Sequence, residues 1–396
     1  MIALTLFRTP IFARIRHTPV AMPPQGRAGS ANGELEGSMR HFLITVAAMF
    51  AVPLPASAQQ AAAAEATSAD REALTALVAA QPQPVAVYVV GNGVDHGAAR
   101  PPLATDTPLR IASNTKTFVA ATVLRLWEQG RIDLDAPIGG LISPANDAVL
   151  RADGYDTARI TVRHLLSHSG GLYDHGGDKR YVEMLKANTS RHFTREELVA
   201  LMTEYADPQS APGTKFRYSD TGYILLGEII ERVTKLNLAK AVRQQLKLDS
   251  LGLKATWWEI FEQRPGGAPQ RARQYLGDLD VTDVHASMDL YGGGGLVMSP
   301  RDLALFFKAL FGGRIFDKPG TLREMLWQGP HHGAESYRSG IFVKQTPTGE
   351  IWWHSGFWGT YAGYAPATGT AIAAFSDHQS GVKPAMQQVE PLFFKR

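Results

Sequence analysis

The sequence predicts an α+β fold: an α/β sandwich with an antiparallel sheet, into which an all-helical domain is inserted. Strand patterns lie near both ends of the chain, whereas helical periodicity dominates roughly residues 120–280. The chain has 396 residues, 44% of them hydrophobic, and can therefore bury a large core. One sheet built from both ends, with the helices between them, is the simplest architecture that joins these patterns.

The first 58 residues predict an N-terminal extension that ends in a signal peptide. Residues 39–58 combine a basic start, the apolar run "FLITVAAMFAV" and an A-x-A sequence ending at Ala58, which is typical of secretory signals. The run is too short for a stable membrane span. We expect cleavage after Ala58 and a secreted or periplasmic domain of residues 59–396.

The composition narrows the classes of function. The chain has no cysteine, which excludes disulfides, thiolate metal sites and a cysteine nucleophile. Beyond residue 58 the basic and acidic side chains balance at 35 each. This neutrality gives no reason to expect nucleic acid as a partner. A small molecule or a peptide is the expected substrate, and the oligomeric state stays open.

The folded domain begins with a helix, a hairpin and a second helix. "SADREALTALVAAQ" predicts a helix capped by Ser68 or Asp70. "PVAVYVVGNGVDHG" predicts a strand, a turn at the N-G pair and a short return strand. "IASNTKTFVAATVLRLWEQG" predicts an amphipathic helix that Ser113 opens as its cap.

The middle of the chain predicts helices and loops with little strand pattern. "ITVRHLLSHSGGLYDHGG" predicts a helix closed by glycine. "TREELVALM" and "DTGYILLGEIIERVTKLNLAKAVRQQL" have helical periodicity. Asp220, which opens the second of these segments, is a candidate helix cap.

The C-terminal part returns to strands. "GGGGLVMSPRDLALFFKALFGG" predicts a glycine turn before a helix capped by Ser299. "SGIFVKQTPTGEIWWHSG" and "YAGYAPATGTAIAAFSD" predict hairpins that turn at Thr348-Gly349 and Thr368-Gly369. The last segment, "VKPAMQQVEPLFFKR", predicts a terminal helix.

Ser113 and Lys116 are the first candidates for chemistry. Their spacing of three places both side chains on one face of a helix, a few ångström apart. A serine hydroxyl becomes a nucleophile when a neighbouring base takes its proton, and a neutral amine can do so. Capping explains the serine equally well, so this pair does not decide the function alone.

Two further segments carry polar residues beside predicted elements. "FRYSDTGYILLGE" places Tyr218 and Asp220 before a helix, and "IWWHSGFWGTYAGY" places His354 at a strand end. Each has an ordinary explanation as a packed tyrosine, a helix cap or a strand-end histidine. Their joint occurrence, in this order, indicates a functional site.

Together the three segments resemble the motifs of the serine β-lactamase and penicillin-binding-protein superfamily, nearest its class C β-lactamases and D-alanyl-D-alanine carboxypeptidases. That superfamily carries S-x-x-K, Y-x-N and K/H-x-G motifs. They correspond here to "SNTK" from Ser113, "YSD" from Tyr218 and "HSG" from His354. The resemblance extends from about residue 70 to residue 396 and implies a β-lactamase/transpeptidase-like fold.

The resemblance implies a serine hydrolase that needs neither a metal nor another cofactor. Ser113 would attack a carbonyl and form an acyl-enzyme, while Lys116 and Tyr218 would move the protons. The backbone N–H groups of Ser113 and Phe357 would form the oxyanion hole. The implied substrate-binding residues are Asp220, His354, Ser355, Gly356 and Phe357.

Two departures from the superfamily pattern affect the expected substrate. Asp220 replaces the usual asparagine, and an ionised carboxylate cannot donate a hydrogen bond to an amide carbonyl. It would also favour the charged form of Lys116, which makes Tyr218 the favoured base, its phenolate stabilised by that charge. His354 replaces lysine, so its attraction for a substrate carboxylate should weaken as the pH rises.

The favoured function is hydrolysis of D-peptide amides, as by a D-alanyl-D-alanine carboxypeptidase. The alternatives are an esterase of the same fold, a class C-like β-lactamase, and a ligand-binding or sensor domain without turnover. His164 and His168 have a spacing that could bind a metal, but the glutamate of an H-E-x-x-H motif is missing. We therefore expect no metal site.

Overall fold

A computed structural model describes residues 67–394 of the chain. The predicted N-terminal extension and signal peptide lie outside the described residues. The strands of residues 67–394 are β1 (Val85–Gly91), β2 (Val94–Ala99), β3 (Leu109–Arg110), β4 (Thr256–Trp258), β5 (Tyr275–Leu276), β6 (Leu279–Asp280), β7 (Leu296–Met298), β8 (Phe342–Thr346), β9 (Gly349–Gly356), β10 (Thr360–Ala365) and β11 (Thr370–Ser376).

Most helices lie in segments where helical periodicity predicted them, whereas the helices Pro144–Ala152, Lys179–Ala187 and Pro319–Met325 were not predicted individually. They are α1 (Ser68–Ala79), α2 (Thr115–Glu128), α3 (Pro144–Ala152), α4 (Val162–Leu166), α5 (Lys179–Ala187), α6 (Arg195–Tyr205), α7 (Asp220–Thr234), α8 (Leu238–Gln245), α9 (Pro300–Phe311), α10 (Pro319–Met325) and α11 (Val382–Phe393). No helix of residues 67–394 combines the length and the apolar character needed to cross a membrane.

The main sheet is built from both ends of the domain, as the strand patterns predicted. Its six strands follow the order β2-β1-β11-β10-β9-β8, and each neighbouring pair is antiparallel. One edge of β1 pairs with β11, from Val85 opposite Ser376, and the other edge pairs with β2. The first strand of the domain therefore lies between its neighbour in sequence and the last strand.

Helices cover both faces of this sheet, which confirms the predicted sandwich. Alternate residues of a strand point to opposite faces, so each strand contributes to two cores. On one face α1 and α11 pack through side chains such as Leu74 and Met386. On the other face α9 packs through Phe306 and Phe307, in the same core as α2 and the helices of the inserted region.

Three predicted helix caps are wrong, and in each case the true cap is adjacent to a predicted one. Thr67 caps α1 in a capping box with Asp70, and Ser219 caps α7 by accepting a hydrogen bond from the backbone N–H of Gly222. Ser113 lies in a 3-10 turn before α2, whose cap position is Asn114. At α1 and α7 the cap is a nearby threonine or serine, whose side chain can accept the same hydrogen bond as the predicted residue.

The structure also differs from the sequence interpretation in its smaller elements. The short strands β4 and β7 pair with each other, and β7 also pairs with β3, in a second, three-stranded sheet. Runs of two or three residues give too little periodicity to predict. The long periodic segment after Tyr218 forms two helices, because Lys235 adopts a left-handed conformation with φ of 62° and ends α7.

Candidate active site

The second sheet positions Ser113. The backbone N–H of Ile111 continues the β3–β7 pairing by donating to the carbonyl of Leu296, 3.0 Å away. Ala112 then adopts a φ of 45°, a left-handed conformation that costs an alanine about 1–2 kcal/mol. This bend starts the 3-10 turn Ala112–Asn114 and places Ser113 at the N-terminal end of α2.

The ammonium group of Lys116 is surrounded by three oxygen atoms. Its Nζ lies 2.9 Å from Ser113 Oγ, 2.8 Å from the carbonyl oxygen of Gly293 and 2.6 Å from Asp220 Oδ1. An ammonium has three N–H donors, so each donor has one acceptor. The side chain is completely buried, and this arrangement fixes its position beside the nucleophile candidate.

Tyr218 lies against the same pair. Lys116 Nζ is 5.1 Å from the centre of the Tyr218 ring. Although burial raises the pKa of the Tyr218 hydroxyl, both the charge of Lys116 and hydrogen bonding with Ser113 act to lower that pKa. The ring packs on the imidazole of His168, with centres 4.2 Å apart. His168 in turn accepts a hydrogen bond from the backbone N–H of Ser219. The structure therefore brings together the residues that the first two motifs predicted.

Charge and burial act in opposite directions on this cluster. Burial disfavours the Lys116 ammonium, but the charges of Asp220 and Tyr218 outweigh burial and raise the pKa of Lys116 above its usual range. Burial raises the pKa of Tyr218 to about 12, even though the charge of Lys116 lowers it. The charge of Lys116 thus favours the phenolate, as expected, but burial outweighs it and Tyr218 keeps its proton at neutral pH. Lys116 and Asp220 form a buried ion pair, which holds the pKa of Asp220 below its usual value despite burial.

The end of β9 lies directly beside the turn that carries Ser113. A Cβ atom on Gly356 would lie 2.1 Å from the carbonyl oxygen of Ile111, so this approach requires glycine. Thr360 Oγ1 donates to the same carbonyl at 3.0 Å, and Asn114 Nδ2 donates to Thr360 Oγ1 at 2.9 Å. These contacts hold Phe357, the residue after Gly356, at the pocket that Ser113 also lines.

His354 and Ser355 do not lie as the third motif suggested. His354 is buried among aromatic rings, and its Nδ1 is 2.9 Å from the backbone oxygen of Ser355. Burial and the Lys116 charge lower its pKa to about 3, so the imidazole is neutral. Ser355 lines a second cavity, next to Lys344 and Glu390. This placement does not favour the expected charged grip of His354 on a carboxylate.

A mostly apolar pocket opens at Ser113. A cavity of about 70 Å³ lies between α5, the β5–β6 hairpin and the turn after β9. Its lining residues are Ala112, Ser113, Gly176, Tyr181, Val182, Leu185, Lys186, Thr189, Asp220, Leu276, Leu279, Val281, Val284, Met288, Asp289, Gly293, Phe357 and Trp358. Its lining offers apolar contact to a substrate group that lies next to the reacting carbonyl.

Sequence reasoning missed several residues of this pocket. The "GGGG" run was interpreted as a tight turn, yet the carbonyl of Gly293 holds Lys116 and the residue lines the pocket. A Cβ atom on Gly176 would lie 2.1 Å from Asp220 Oδ2, so only a glycine allows the loop before α5 to approach Asp220 this closely. The glycines were the feature of the sequence from which these two positions could have been recognised. Nothing in the sequence around Asp289 distinguished it.

The predicted absence of a metal concerns His164 and His168. His164 Nδ1 accepts a hydrogen bond from the backbone N–H of Thr161, while His168 packs under Tyr218. Within residues 67–394 there is no group of three or more histidine, aspartate or glutamate side chains placed to hold a metal ion.

Known proteins are similar to this chain in sequence and in architecture. The profile of the family described as Beta-lactamase matches residues 58–388. Penicillin-binding protein 4* of Bacillus subtilis (strain 168) is 25% identical over 299 residues, which are 70% of this chain and 60% of that protein. Esterase EstB of Burkholderia gladioli is 32% identical over 167 residues, 39% of this chain and 40% of that protein. The chain thus spans between 40% and 60% of the lengths of these curated relatives.

Solved structures match this chain over nearly their whole length. The D-stereospecific amidohydrolase from a Streptomyces species has a TM-score of 0.71 and 27% sequence identity. The match covers 82% of this chain and 98% of that chain.

Proposed function

Since the chain belongs to the beta-lactamase family of serine hydrolases, we propose that it hydrolyses amides of D-amino acids and D-peptides through an acyl-enzyme on Ser113. The observation that carries the proposal is the apolar pocket that opens at Ser113, next to Lys116 and Tyr218. The likeness to a D-stereospecific amidohydrolase supports amides as the substrate class.

The chemical step follows from the three side chains. Ser113 Oγ forms a bond to the substrate carbonyl carbon as its proton passes to Tyr218. Lys116 retains its proton more strongly than Tyr218, because three oxygen atoms surround its ammonium. The reactive form is thus the minor one, with a Tyr218 phenolate beside the Lys116 ammonium.

The second half of the cycle returns the enzyme to its starting state. Tyr218 passes the proton to the leaving nitrogen as the C–N bond breaks, which releases ammonia or an amine. Water then attacks the acyl group and regenerates Ser113. The backbone N–H groups of Ser113 and Phe357 stabilise the developing oxyanion, because both residues line the pocket.

An amide without a terminal carboxylate is favoured over the substrate of a D-alanyl-D-alanine carboxypeptidase. His354 is buried and neutral, so it offers no charge for a carboxylate. Lys116 is paired with Asp220, and the other lysine at the pocket, Lys186, is exposed and paired with Glu183. Carboxypeptidase activity is therefore the weaker form of the same proposal.

The test compares enantiomers on the wild type and on Ser113→Ala. We expect hydrolysis of D-phenylalanine 4-nitroanilide, much slower hydrolysis of the L-enantiomer, and loss of both in Ser113→Ala with a nearly unchanged melting temperature. Intact-mass spectrometry after addition of a penicillin should show an adduct on the wild type and none on the variant. Hydrolysis that survives in Ser113→Ala would disprove the assigned nucleophile, and a preference for the L-enantiomer would disprove the D-amide proposal.

An esterase is the second candidate, and Asp220 favours it. An ionised carboxylate at this position cannot donate to the amide carbonyl of a peptide-like substrate, whereas an ester needs no such contact. The similarity to esterase EstB points the same way. Ser113-dependent hydrolysis of 4-nitrophenyl butyrate without hydrolysis of either anilide would select the esterase.

We extend the proposal to export. The support is the predicted signal peptide over residues 39–58. Expression in a bacterial host, followed by intact-mass analysis of the periplasmic fraction, should yield a protein that begins at Gln59. A protein found only in the cytoplasm with residues 39–58 still attached would disprove export.

A further inference from the structure

Asp289 is a carboxyl group in a pocket wall that is otherwise largely apolar. It lines the same pocket as Ser113, between Met288 and the glycine run. Its Oδ2 occupies the space next to Gly294, where a Cβ atom would lie 2.1 Å from it. Within residues 67–394 its side chain makes no hydrogen bond and no ion pair.

The cations near Asp289 are already paired with other carboxylates. Lys116 lies 2.6 Å from Asp220, and Arg110 lies 2.6 Å from Glu259. Burial consequently raises the pKa of Asp289 to about 7, although the charge of Arg110 lowers it. Asp289 is half-buried, and a carboxylate with reduced access to water and no partner in the protein is stabilised by a bound cation.

We propose that Asp289 binds the free α-ammonium group of the substrate, so that the enzyme selects D-amino acid amides and D-peptides with an unblocked amino terminus. This inference rests on the proposed function. An ammonium supplies both the positive charge and the N–H donors that the carboxylate lacks in the protein.

The pocket would then hold three substituents of the substrate α-carbon at three different places. The carbonyl lies at Ser113, the ammonium at Asp289, and the side chain against apolar residues such as Leu185 and Leu279. Exchanging two substituents by inverting the α-carbon would direct an apolar group at the carboxylate or an ammonium at the apolar wall. Both placements are unfavourable, so Asp289 acts as a specificity-determining residue for chirality as well as for the amine.

The experiment measures one ratio: kcat/KM for D-phenylalanine 4-nitroanilide divided by kcat/KM for its N-acetyl derivative, at pH 7.5. We expect the wild type to prefer the free amine. Asp289→Asn keeps the shape of the side chain but removes its charge, so the ratio should fall about tenfold or more. Asp283→Asn is the matched control, because Asp283 is an exposed carboxylate on the same loop and its loss should leave the ratio unchanged.

Each outcome separates the inference from the proposed function. An unchanged ratio in Asp289→Asn would overturn the inference while leaving the D-amide proposal in place. If neither anilide is hydrolysed in a Ser113-dependent way, the proposed function itself fails. Should Asp289→Asn not fold, the wild type alone decides: equal rates on the free-amine substrate, its N-acetyl derivative and 3-phenylpropionyl 4-nitroanilide, which lacks the amine, would overturn the inference.

Discussion

At the scale of single residues, the ion pair between Lys116 and Asp220 sets the character of the site. An asparagine in place of Asp220 would leave the lysine without a counter-charge and could donate to a substrate carbonyl. The aspartate instead keeps the lysine charged and its own oxygen occupied. The site thus contains a fixed ammonium that stabilises negative charge on its neighbours, which makes Tyr218 the residue that exchanges protons.

This pairing predicts the effect of Asp220→Asn. The substitution should lower the pKa of Lys116, supply a hydrogen-bond donor and raise the rate of acylation by a penicillin about tenfold. The melting temperature should fall, because one partner of a buried ion pair is lost. The measurement is adduct formation followed by intact-mass spectrometry.

A matched control at pH 8 tests whether the position of Asp220 or only the loss of a negative charge matters, because burial raises the pKa of Asp174 to about 7. Asp174 accepts a hydrogen bond from the backbone N–H of Asp220 at 3.0 Å, and Asp174→Asn leaves the Lys116 pair intact. Its acylation rate should stay near that of the wild type. Equal acylation rates in Asp220→Asn and the wild type would refute the donor argument.

Site residues that belong to a local pattern could be predicted from the sequence, whereas residues brought to the site by the tertiary fold could not. Ser113 and Lys116 lie three positions apart, and Tyr218 precedes a strongly periodic helix, so local pattern sufficed to single them out. Asp289 and Gly293 reach the site only through the tertiary fold. The placement of His354 was unpredictable for the same reason: its neutral state follows from aromatic rings on other elements.

At the scale of elements, the β5–β6 hairpin forms one wall of the pocket. It is fixed to the end of the main sheet, because the backbone N–H of Tyr275 donates to the carbonyl of Asp377 at 2.7 Å. Its side chains Leu276 and Leu279 face the pocket, and Leu279 remains 41% exposed. An apolar side chain that stays half in solvent at a pocket mouth is suited to contact with a substrate.

The hairpin therefore predicts a substrate-dependent effect of Leu279→Ser. Loss of apolar contact should reduce kcat/KM for D-phenylalanine amide about tenfold and change that for D-alanine amide much less. Val149→Ser is the control, since Val149 is similarly exposed on α3 and is absent from the pocket lining. Equal losses on both amides would contradict a role of the hairpin in binding the side chain.

Element prediction succeeded where a segment was long and failed where it was short. The terminal helix, the N-terminal hairpin and the α9 cap at Ser299 lie where expected. The segment expected to be a helix up to the glycines after His168 is helical only over α4, because His168 adopts a φ of 53° and turns the chain toward Tyr218. That turn depends on contacts made far along the chain.

At the scale of the whole molecule, buried titratable groups predict how stability depends on pH. The pKa of Asp289 is raised from an unfolded value near 4 to about 7. Its contribution to stability is therefore fully present below about pH 4 and is lost as the pH rises through about 7. The buried neutral histidines His175 and His354 have lowered pKa values and act oppositely, losing stability as the pH falls below about 6.5.

The difference in stability between the wild type and Asp289→Asn isolates the effect of Asp289, because both proteins contain the same histidines. Asp289→Asn should be more stable than the wild type by on the order of 2–4 kcal/mol at pH 8, and close to it at pH 4. Thermal or denaturant unfolding at both pH values provides the measurement. A stability difference that does not change between pH 4 and pH 8 would show that Asp289 does not carry a strongly raised pKa.

The pairing of β1 with β11 has a consequence for how the enzyme comes into being. Ser113 and its helix leave the ribosome early, but the strand that approaches Ser113, β9, and the strand that completes the sheet follow more than two hundred residues later. Contacts so distant in sequence form slowly, and no N-terminal fragment that lacks them has a closed pocket. A chain that ends before β9 should therefore show no Ser113-dependent hydrolysis.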